Sequence, residues 1–466
     1  MIALRAHLSR AVPAQSLAVF RIAFGALMVW DCWRYARGNR IWRYWVQPDF
    51  HFSYPGFAWV QPLPEPWIHI AWGAVGLSAL LVMLGLFYRP AIIAFTLLFA
   101  YFFLLDASRY LNHFYLVLIY AAILCCLPAA RVWSLDARLW PGRGRHIPAA
   151  ALSILRIQTE IVLIYAGLVK LTPDWIRGEP LAQWLRARSL GLWIEPLLQI
   201  DAVIIAACWG VIALHVLGAP ALLWRRTRLA VFAIYCSFHL ANSWFFNIGI
   251  FPWLTIAAST IFFAPDWPRR LMGRVAGAPP KALNPLPGPL PRPLPRAALA
   301  GMAIWIAVQV MLPVRGAFFD SEIRWSGDGH RFSWRMKIQD REAEARFTVA
   351  DHASGMFWEI EPADYLTRRQ IRKMIVRSDL IHQFALHLAQ TWRQQGHEVA
   401  VYAEICKSLN GRPCQYYIAP GTDLTQVAVN PFGADPWVLP LEEPAWGVAD
   451  NRRLDRMIAE SRWRLP

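Results

Sequence analysis

Charge is what this chain has least of. Only 17% of its 466 residues are Asp, Glu, Lys or Arg, against about 25% in an ordinary soluble domain. Acidic residues are the scarcer kind, 31 against 47 basic, for a net charge of +16. The seven cysteines show no metal-ligand spacing, and five of them (Cys32, Cys125, Cys126, Cys208, Cys236) lie in apolar segments as small hydrophobes. The chain also lacks a phosphate-cradling glycine loop, a Ser-His-Asp arrangement and a His-rich motif. Together these absences argue against a nucleotide-binding loop, a serine-hydrolase triad and a bound metal. Nor does the excess of arginine mark a nucleic-acid binder, because it is spread between apolar segments, where it reads as a topology signal.

What is abundant is apolar. Hydrophobic residues make up 56% of the chain, mean hydropathy is +0.31, and there are 25 tryptophans, as expected of aromatic belts at membrane interfaces. Apolar segments lie near residues 17–36, 66–87, 90–105, 110–128, 151–170, 202–224, 228–246, 248–264 and 297–313. Lipid offers no partner to backbone groups, so these segments must be helices, about nine spans in all. The basic start, MIALRAHLSRAVPAQ, has the look of a signal peptide. The run after it contains Arg21 and Asp31 and no small-x-small site, so it is expected to remain as the first helix.

With the N-terminus inside, the inner connections carry sixteen Lys and Arg and the outer ones eight, which favours a cytoplasmic N-terminus. An odd number of spans then places everything after residue 313 outside. The stretch GAPPKALNPLPGPLPRPLPR, 277–296, is too proline-rich for helix or sheet and is expected to be a semi-extended connector. Beyond residue 313, HRFSWRMKIQD and EARFTVAD alternate like half-buried strands. A long amphipathic helix follows over TRRQIRKMIVRSDLIHQFALHLAQTWRQQ, and EVAVYAEI and CQYYIAP flank a turn at Asn410–Gly411. Cys406 and Cys414 are candidates for a disulfide across this hairpin, although a two-residue turn would pair residue 407 with 414 instead. The fold class expected is an all-α multi-pass membrane domain of about nine helices, then a small α+β extracytoplasmic domain.

Ionisable residues within spans are functional hypotheses by default. Arg21 and Arg156 sit near the inner ends of their helices, where snorkelling accounts for them, and Glu160 four residues after Arg156 suggests a structural helix-face pair. A second group lies toward the outer side. Asn112 and His113 open the fourth span, Lys170 ends the fifth, and His239, Asn242 and Ser243 share one face of the seventh. Each alone has a bland reading as an interfacial anchor or a capping group. Ringed by Phe, Tyr and Trp on one side of the bilayer, they suggest a site for a flat lipid-soluble ligand. A lysine shielded from water there can act as a general base.

At these residues the chain resembles the vitamin K-dependent gamma-carboxylase family. The segments SLAVFRIAFGALMVWD, FLLDASRYLNHFY, VWSLDA, LRIQTEIVLIYAGLVKLTPDW, FHLANSWFFNIGIF, FFAPDWPRRL, FSWRMKIQDR and VNPFGADPW occur in family order along nearly the whole length. The resemblance implies a transmembrane, HTTM-like catalytic domain over 1–313 and an extracytoplasmic α+β domain over 314–466. It implies reduced vitamin K (a hydroquinone or menaquinol) as cofactor, with O2 and CO2 as co-substrates and no metal. A base deprotonates the hydroquinone, oxygenation yields a stronger base that removes a γ-proton from glutamate, and the carbanion adds CO2 as vitamin K leaves as the epoxide. The partners implied are a peptide or protein glutamate, the lipid bilayer and a quinone reductase that supplies hydroquinone, with no nucleic acid. Lys170 matches the family's base, Asn112 and His113 its Asn-His pair, and His239 with Asn242 its His-x-x-Asn. Ser333, Trp334 and Arg341 match positions near the glutamate site, where Arg341 would steer a carboxylate. Gln339 and His330 stand where animal members have histidine and tyrosine, and the long lumenal extension of the animal enzymes has no counterpart before Pro466. Two other readings stay open: a quinol-dependent membrane epoxidase without glutamate carboxylation, and a non-enzymatic transporter or scaffold. The latter predicts an internal repeat and a polar path beyond Glu160, neither of which the sequence contains.

Overall fold

The computed structural model describes residues 2–141, 144–246, 248–275, 293–319, 321–430, 433 and 435–442. The proline-rich connector, up to residue 292, lies outside them. Each apolar segment read from the sequence contains a helix. Five helices are long and apolar enough to cross a membrane: Gln15–Arg37, Trp67–Leu84, Ala149–Leu168, Asp201–Ala221 and Arg296–Phe318. Tyr88–Leu104, Asn112–Cys126 and Phe251–Phe262 are apolar but shorter. The 15 residues of Asn112–Cys126, at 1.5 Å each, reach about 22 Å and fall short of a hydrocarbon core of roughly 30 Å. Arg228–Phe245 has 18 residues, but His239, Asn242 and Ser243 dilute its apolar face. Among the described residues five of the expected nine segments therefore qualify as spans on length and composition.

At one end of this bundle local chemistry sets the helix boundaries. Gly85 ends Trp67–Leu84 in a left-handed conformation, φ 64°, and its N–H turns back to Leu81 and Val82. Ser134 Oγ accepts from Ala137 N at 3.0 Å. Two residues on, Asp136 accepts from Phe87 N at 2.8 Å and Tyr88 N at 3.0 Å, capping Tyr88–Leu104. The segment VWSLDA therefore caps two helices. Arg21 does not snorkel to water. It is fully buried, donates to Trp133 O, and lies against Gly85, where a side chain would collide with its guanidinium. Arg156 is not paired with Glu160 either. Its guanidinium donates to Ile261 O at 2.9 Å and Phe263 O at 3.1 Å, satisfying carbonyls at a helix end. Both carboxylate oxygens of Glu160 are buried without a partner.

The C-terminal region is a four-stranded antiparallel sheet in the order Phe357–Ile360, Arg341–Asp351, Val399–Leu409, Gln415–Tyr416. Helix Ser378–Gln394 buries Leu380, Ile381, Phe384, Ala385 and Leu388 against it. The expected long helix breaks in two, Arg368–Met374 and Ser378–Gln394, around an extended Arg377. Asn410 and Gly411 both adopt left-handed φ, 52° and 77°, as an Asn-Gly hairpin turn requires. The register sets Lys407 opposite Gln415, one residue off a tight two-residue loop. Cys406 and Cys414 come to a Cα separation of 5.4 Å and are bonded as a disulfide.

The segment 330–340 is the main departure from the sequence reading. It is a succession of turns rather than a strand, with Phe332, Trp334 and Lys337 at φ 62°, 55° and 50°. Such conformations cost a residue with a Cβ on the order of 1 kcal/mol each, so packing must hold them. Trp334 is fully buried in the core cluster of the membrane helices and stacks on Tyr115 at 5.0 Å. In turn Phe52, Tyr54, Phe103 and Tyr110 join the core of the sheet region. The two regions are therefore interlocked at one end of the bundle.

Candidate active site

Lys170 follows the last turn of Ala149–Leu168, and its main chain closes on Gly167 O at 3.0 Å. Its side chain folds back along the helix and into the interlocked region, where it is 5% exposed. Nζ donates to Ala166 O at 2.7 Å and to Met336 O at 3.3 Å. The Trp175 ring lies 5.2 Å away. Burial is the largest influence on this amine, and no carboxylate compensates it. Its pKa is pushed down to about 7. A neutral amine has two N–H groups, and the two carbonyls take both, leaving the lone pair to accept a proton.

Asn112, His113 and His239 lie on a circuit with this lysine that is made of side-chain contacts joined by short backbone steps. Asn112 Nδ2 donates to Arg335 O at 3.3 Å, the carbonyl next to the one that Lys170 meets, and its Oδ1 accepts from Tyr110 at 2.9 Å. His113 Nε2 faces Gly249, where a Cβ would stand 3.5 Å from it. Two residues further, the Phe251 ring lies 6.0 Å from His239. His239 packs against Phe238 at 5.2 Å and Tyr235 at 6.0 Å. Both of those rings also touch His215, at 5.2 and 5.8 Å. His215 in turn presses on Gly167, one turn before Lys170: a Cβ on that glycine would lie 2.8 Å from His215 Cβ. Asn242 is half-buried one turn beyond His239, and Ser243 lines a neighbouring cleft of about 190 Å³ with Trp30, Arg34, Phe246, Gly249 and Trp253.

His215 escaped the sequence reading. As a single histidine in the apolar run 202–224 it gave no local signal. It sits in a π-helical turn, Leu214–Gly218, within the span Asp201–Ala221, a deformation that recurs at functional sites. Its Nδ1 lies 2.8 Å from Val211 O, and it is within electrostatic reach of both Lys170 and His239.

Of the three residues expected near a glutamate, none projects into open space. Ser333 is fully buried, donating from Oγ to Gly329 O at 2.6 Å, and Trp334 is fully buried with its indole N–H unpartnered. Arg341 gives its guanidinium to main-chain carbonyls, Arg324 O at 2.7 Å and Ile323 O at 3.1 Å, and to Gln339 Oε1 at 2.9 Å. Gln339 also lies 3.4 Å from His330 Nδ1. These residues form a packed layer beside the Lys170 circuit.

A ligand is called for by the orphaned polar atoms. Both ring nitrogens of His239 are buried and without a partner, a state that costs on the order of 1–3 kcal/mol per group unless something binds there. A dihydroxy aromatic ring, which donates and accepts at two positions, matches the histidines, the asparagine and a basic amine set among Phe, Tyr and Trp. The residues therefore fit a quinol.

A bundle of apolar helices, five of them long enough to cross a membrane, interlocked with a C-terminal α+β region, defines the class as a multi-pass membrane protein. Residues 9–267 match the HTTM domain, and residues 295–444 match the vitamin K-dependent gamma-carboxylase lumenal domain. The chain belongs to the vitamin K-dependent gamma-carboxylase family. No solved structure matches it.

Proposed function

We propose that this protein is a vitamin K hydroquinone-dependent gamma-glutamyl carboxylase-like enzyme. The supporting observation is the water-poor amine of Lys170, in one circuit with Asn112, His113 and the unpartnered His239. Reduced vitamin K, with O2 and CO2, supplies the oxidative driving force and the carboxyl carbon. Lys170 takes the hydroquinone proton at Nζ. His113, His239 and Asn242 hold the ring, and Asn112 stabilises developing negative charge. The aromatic surround excludes water. Residues 1–313 form the catalytic membrane domain and 314–466 an extracytoplasmic domain, with the N-terminus cytoplasmic. A peptide or protein glutamate is the acceptor, and a membrane quinone reductase returns the hydroquinone.

One observation favours a narrower second reading, a quinol epoxidase without glutamate carboxylation. Ser333 and Arg341 already spend their donors on main-chain carbonyls, and Trp334 is packed into the core, whereas both ring nitrogens of His239 are to spare. Purified protein given vitamin K hydroquinone, O2, labelled CO2 and a Glu-containing peptide separates the two. Epoxide with label in the peptide is expected of a carboxylase. Epoxide alone selects the second reading, and neither product overturns both.

A further inference from the structure

Four residues after Lys170, Asp174 lies in the short helix Pro173–Ile176, whose Thr172 cap accepts from Trp175 N. Asp174 is fully buried. Its carboxylate accepts from Arg412 at 2.8 Å on Oδ2 and 2.9 Å on Oδ1, a bidentate pair. It also accepts from Asn410 Nδ2 at 2.7 Å, and Arg324 NH1 lies 3.0 Å from Oδ2. All three partners belong to the C-terminal region, and two of them are the hairpin turn itself.

Arg324 is in turn fixed from behind. Its segment, Ile323–Ser326, has three consecutive carbonyls held by cations of the sheet: Arg341 takes Ile323 O and Arg324 O, and Lys407 takes Trp325 O. Lys407 is fully buried between those carbonyls and the Tyr417 ring, 3.5 Å from Nζ. An unbroken sequence of buried bonds therefore runs from two sheet strands through Arg324 to Asp174, and the chain from Asp174 leads back to Lys170. The same region contributes Met336 O, the second acceptor of the lysine. The remaining titratable groups near Nζ are Cys208 and His215 of Asp201–Ala221, and the C-terminal segment brings Arg335 and Lys337 beside Met336.

We propose that Asp174 is a positioning residue for Lys170: by clamping the Lys170 loop to Arg324, Asn410 and Arg412 it keeps the C-terminal region seated over the amine and water out. The proposal rests on Lys170 being the base. It makes the C-terminal region part of the hydroquinone half of the reaction, not only of the glutamate half. Burial of both the carboxylate and its partners makes the clamp strong only as a set, because a single lost partner leaves an uncompensated charge.

The test reads the lysine directly. The chain has five lysines, Lys170, Lys281, Lys337, Lys373 and Lys407, so full-length protein grown with 13C,15N-labelled lysine gives few side-chain NMR signals and leaves the amine unmodified. Lys170→Arg assigns the one of interest. In wild type that signal should titrate near pH 7. In Asp174→Asn it should titrate higher by about one pH unit or more, as water reaches the amine. The pH-rate profile of epoxide formation should move by the same amount and return toward the wild-type rate at high pH. Should Asp174→Asn fail to fold, Arg412→Lys, which keeps the charge but loses the bidentate grip, must show the same displacement. A lower rate at every pH with an unmoved Lys170 midpoint, in whichever variant folds, overturns the proposal. If Lys170→Ala turns over normally, the base assignment itself has failed, and the two failures are thereby told apart.

Discussion

Asn112 and Lys170 address consecutive carbonyls of one turn: Nδ2 of Asn112 donates to Arg335 O and Nζ of Lys170 to Met336 O, each at 3.3 Å. The two residues come from different helices, and the carbonyls from a segment more than 160 positions downstream of Lys170. The backbone between Phe332 and Lys337 is the most strained non-glycine stretch among the described residues, with three left-handed φ angles within six positions. Strain held at a site by surrounding packing is a mark of pre-organisation. What it organises here is a dry seat for an amine.

That seat predicts a pH limb. An amine with its pKa near 7 is protonated below that value and cannot accept a proton, so hydroquinone-dependent epoxide formation should rise through about pH 7 and level off above it. Lys170→Ala should lower the rate by about 10²–10⁴-fold, the usual contribution of a positioned base, and leave membrane insertion intact. A small exogenous amine should restore part of the loss. Wild-type turnover in the variant, measured by chromatography of the epoxide, would sink the assignment.

His239→Phe should separate stability from binding. The substitution replaces two buried nitrogens that have no partner with carbon, in a pocket already lined by Tyr235, Phe238 and Phe251. Removing unsatisfied polar atoms at constant shape is neutral to stabilising, whereas a ligand hydroxyl left unpaired loses about 1–3 kcal/mol. The melting temperature should hold or rise while KM for hydroquinone increases by roughly 5- to 150-fold. A fall in melting temperature alongside the impaired turnover would mean that the histidine is a structural group.

Gly167 tests the circuit from the far side. A Cβ there would meet His215 Cβ and Val216 Cγ2 at 2.8 Å each, and such overpacking typically costs about 1–3 kcal/mol. Gly167→Ala should displace the π-helical turn Leu214–Gly218 and reduce turnover. Gly73→Ala, at a helical glycine with nothing within 4 Å, is the silent control. Equal activity in the two variants would remove His215 from the site.

Much of this was readable in advance, for physical reasons. Apolar runs had to be helices, and arginine distribution alone led to the expectation that Asn112, His113, Lys170 and His239 share one side. The Asn410–Gly411 turn follows from the need for positive φ at both positions. What was illegible depended on distant partners. The alternation in HRFSWRMKIQD imitates a strand, yet Trp334 is claimed by Tyr115 of the membrane helices and the backbone turns to deliver it. The amphipathic run after Thr367 looks continuous, but Val376 O is taken by Lys407 at 3.1 Å and the helix breaks there. Helix ends were harder to read, because hydropathy registers apolar content and not where a cap stops the helix. Asp174 showed only as one acid after a proline, since the residues that give it meaning lie 236 and 238 positions away.

The hairpin offers the last prediction, because its disulfide and its turn serve different masters. The bond between Cys406 and Cys414 closes a loop with a sequence separation of 8, for which chain entropy gives about 2–3 kcal/mol of stabilisation. Asn410 and Arg412, inside that loop, are two of the three groups that grip Asp174. Replacing both cysteines by serine should therefore lower the thermal stability of the whole chain. It should also weaken the seat over Lys170 at temperatures where the protein is still folded, so that activity is lost several degrees before the melting transition. In wild type the two events should coincide. Intact-protein mass spectrometry without reductant reports whether the bond has formed, as an oxidising compartment would permit. Coincident loss of activity and fold in the Cys406→Ser, Cys414→Ser variant would show the disulfide to be a staple for the sheet alone, with no bearing on the base.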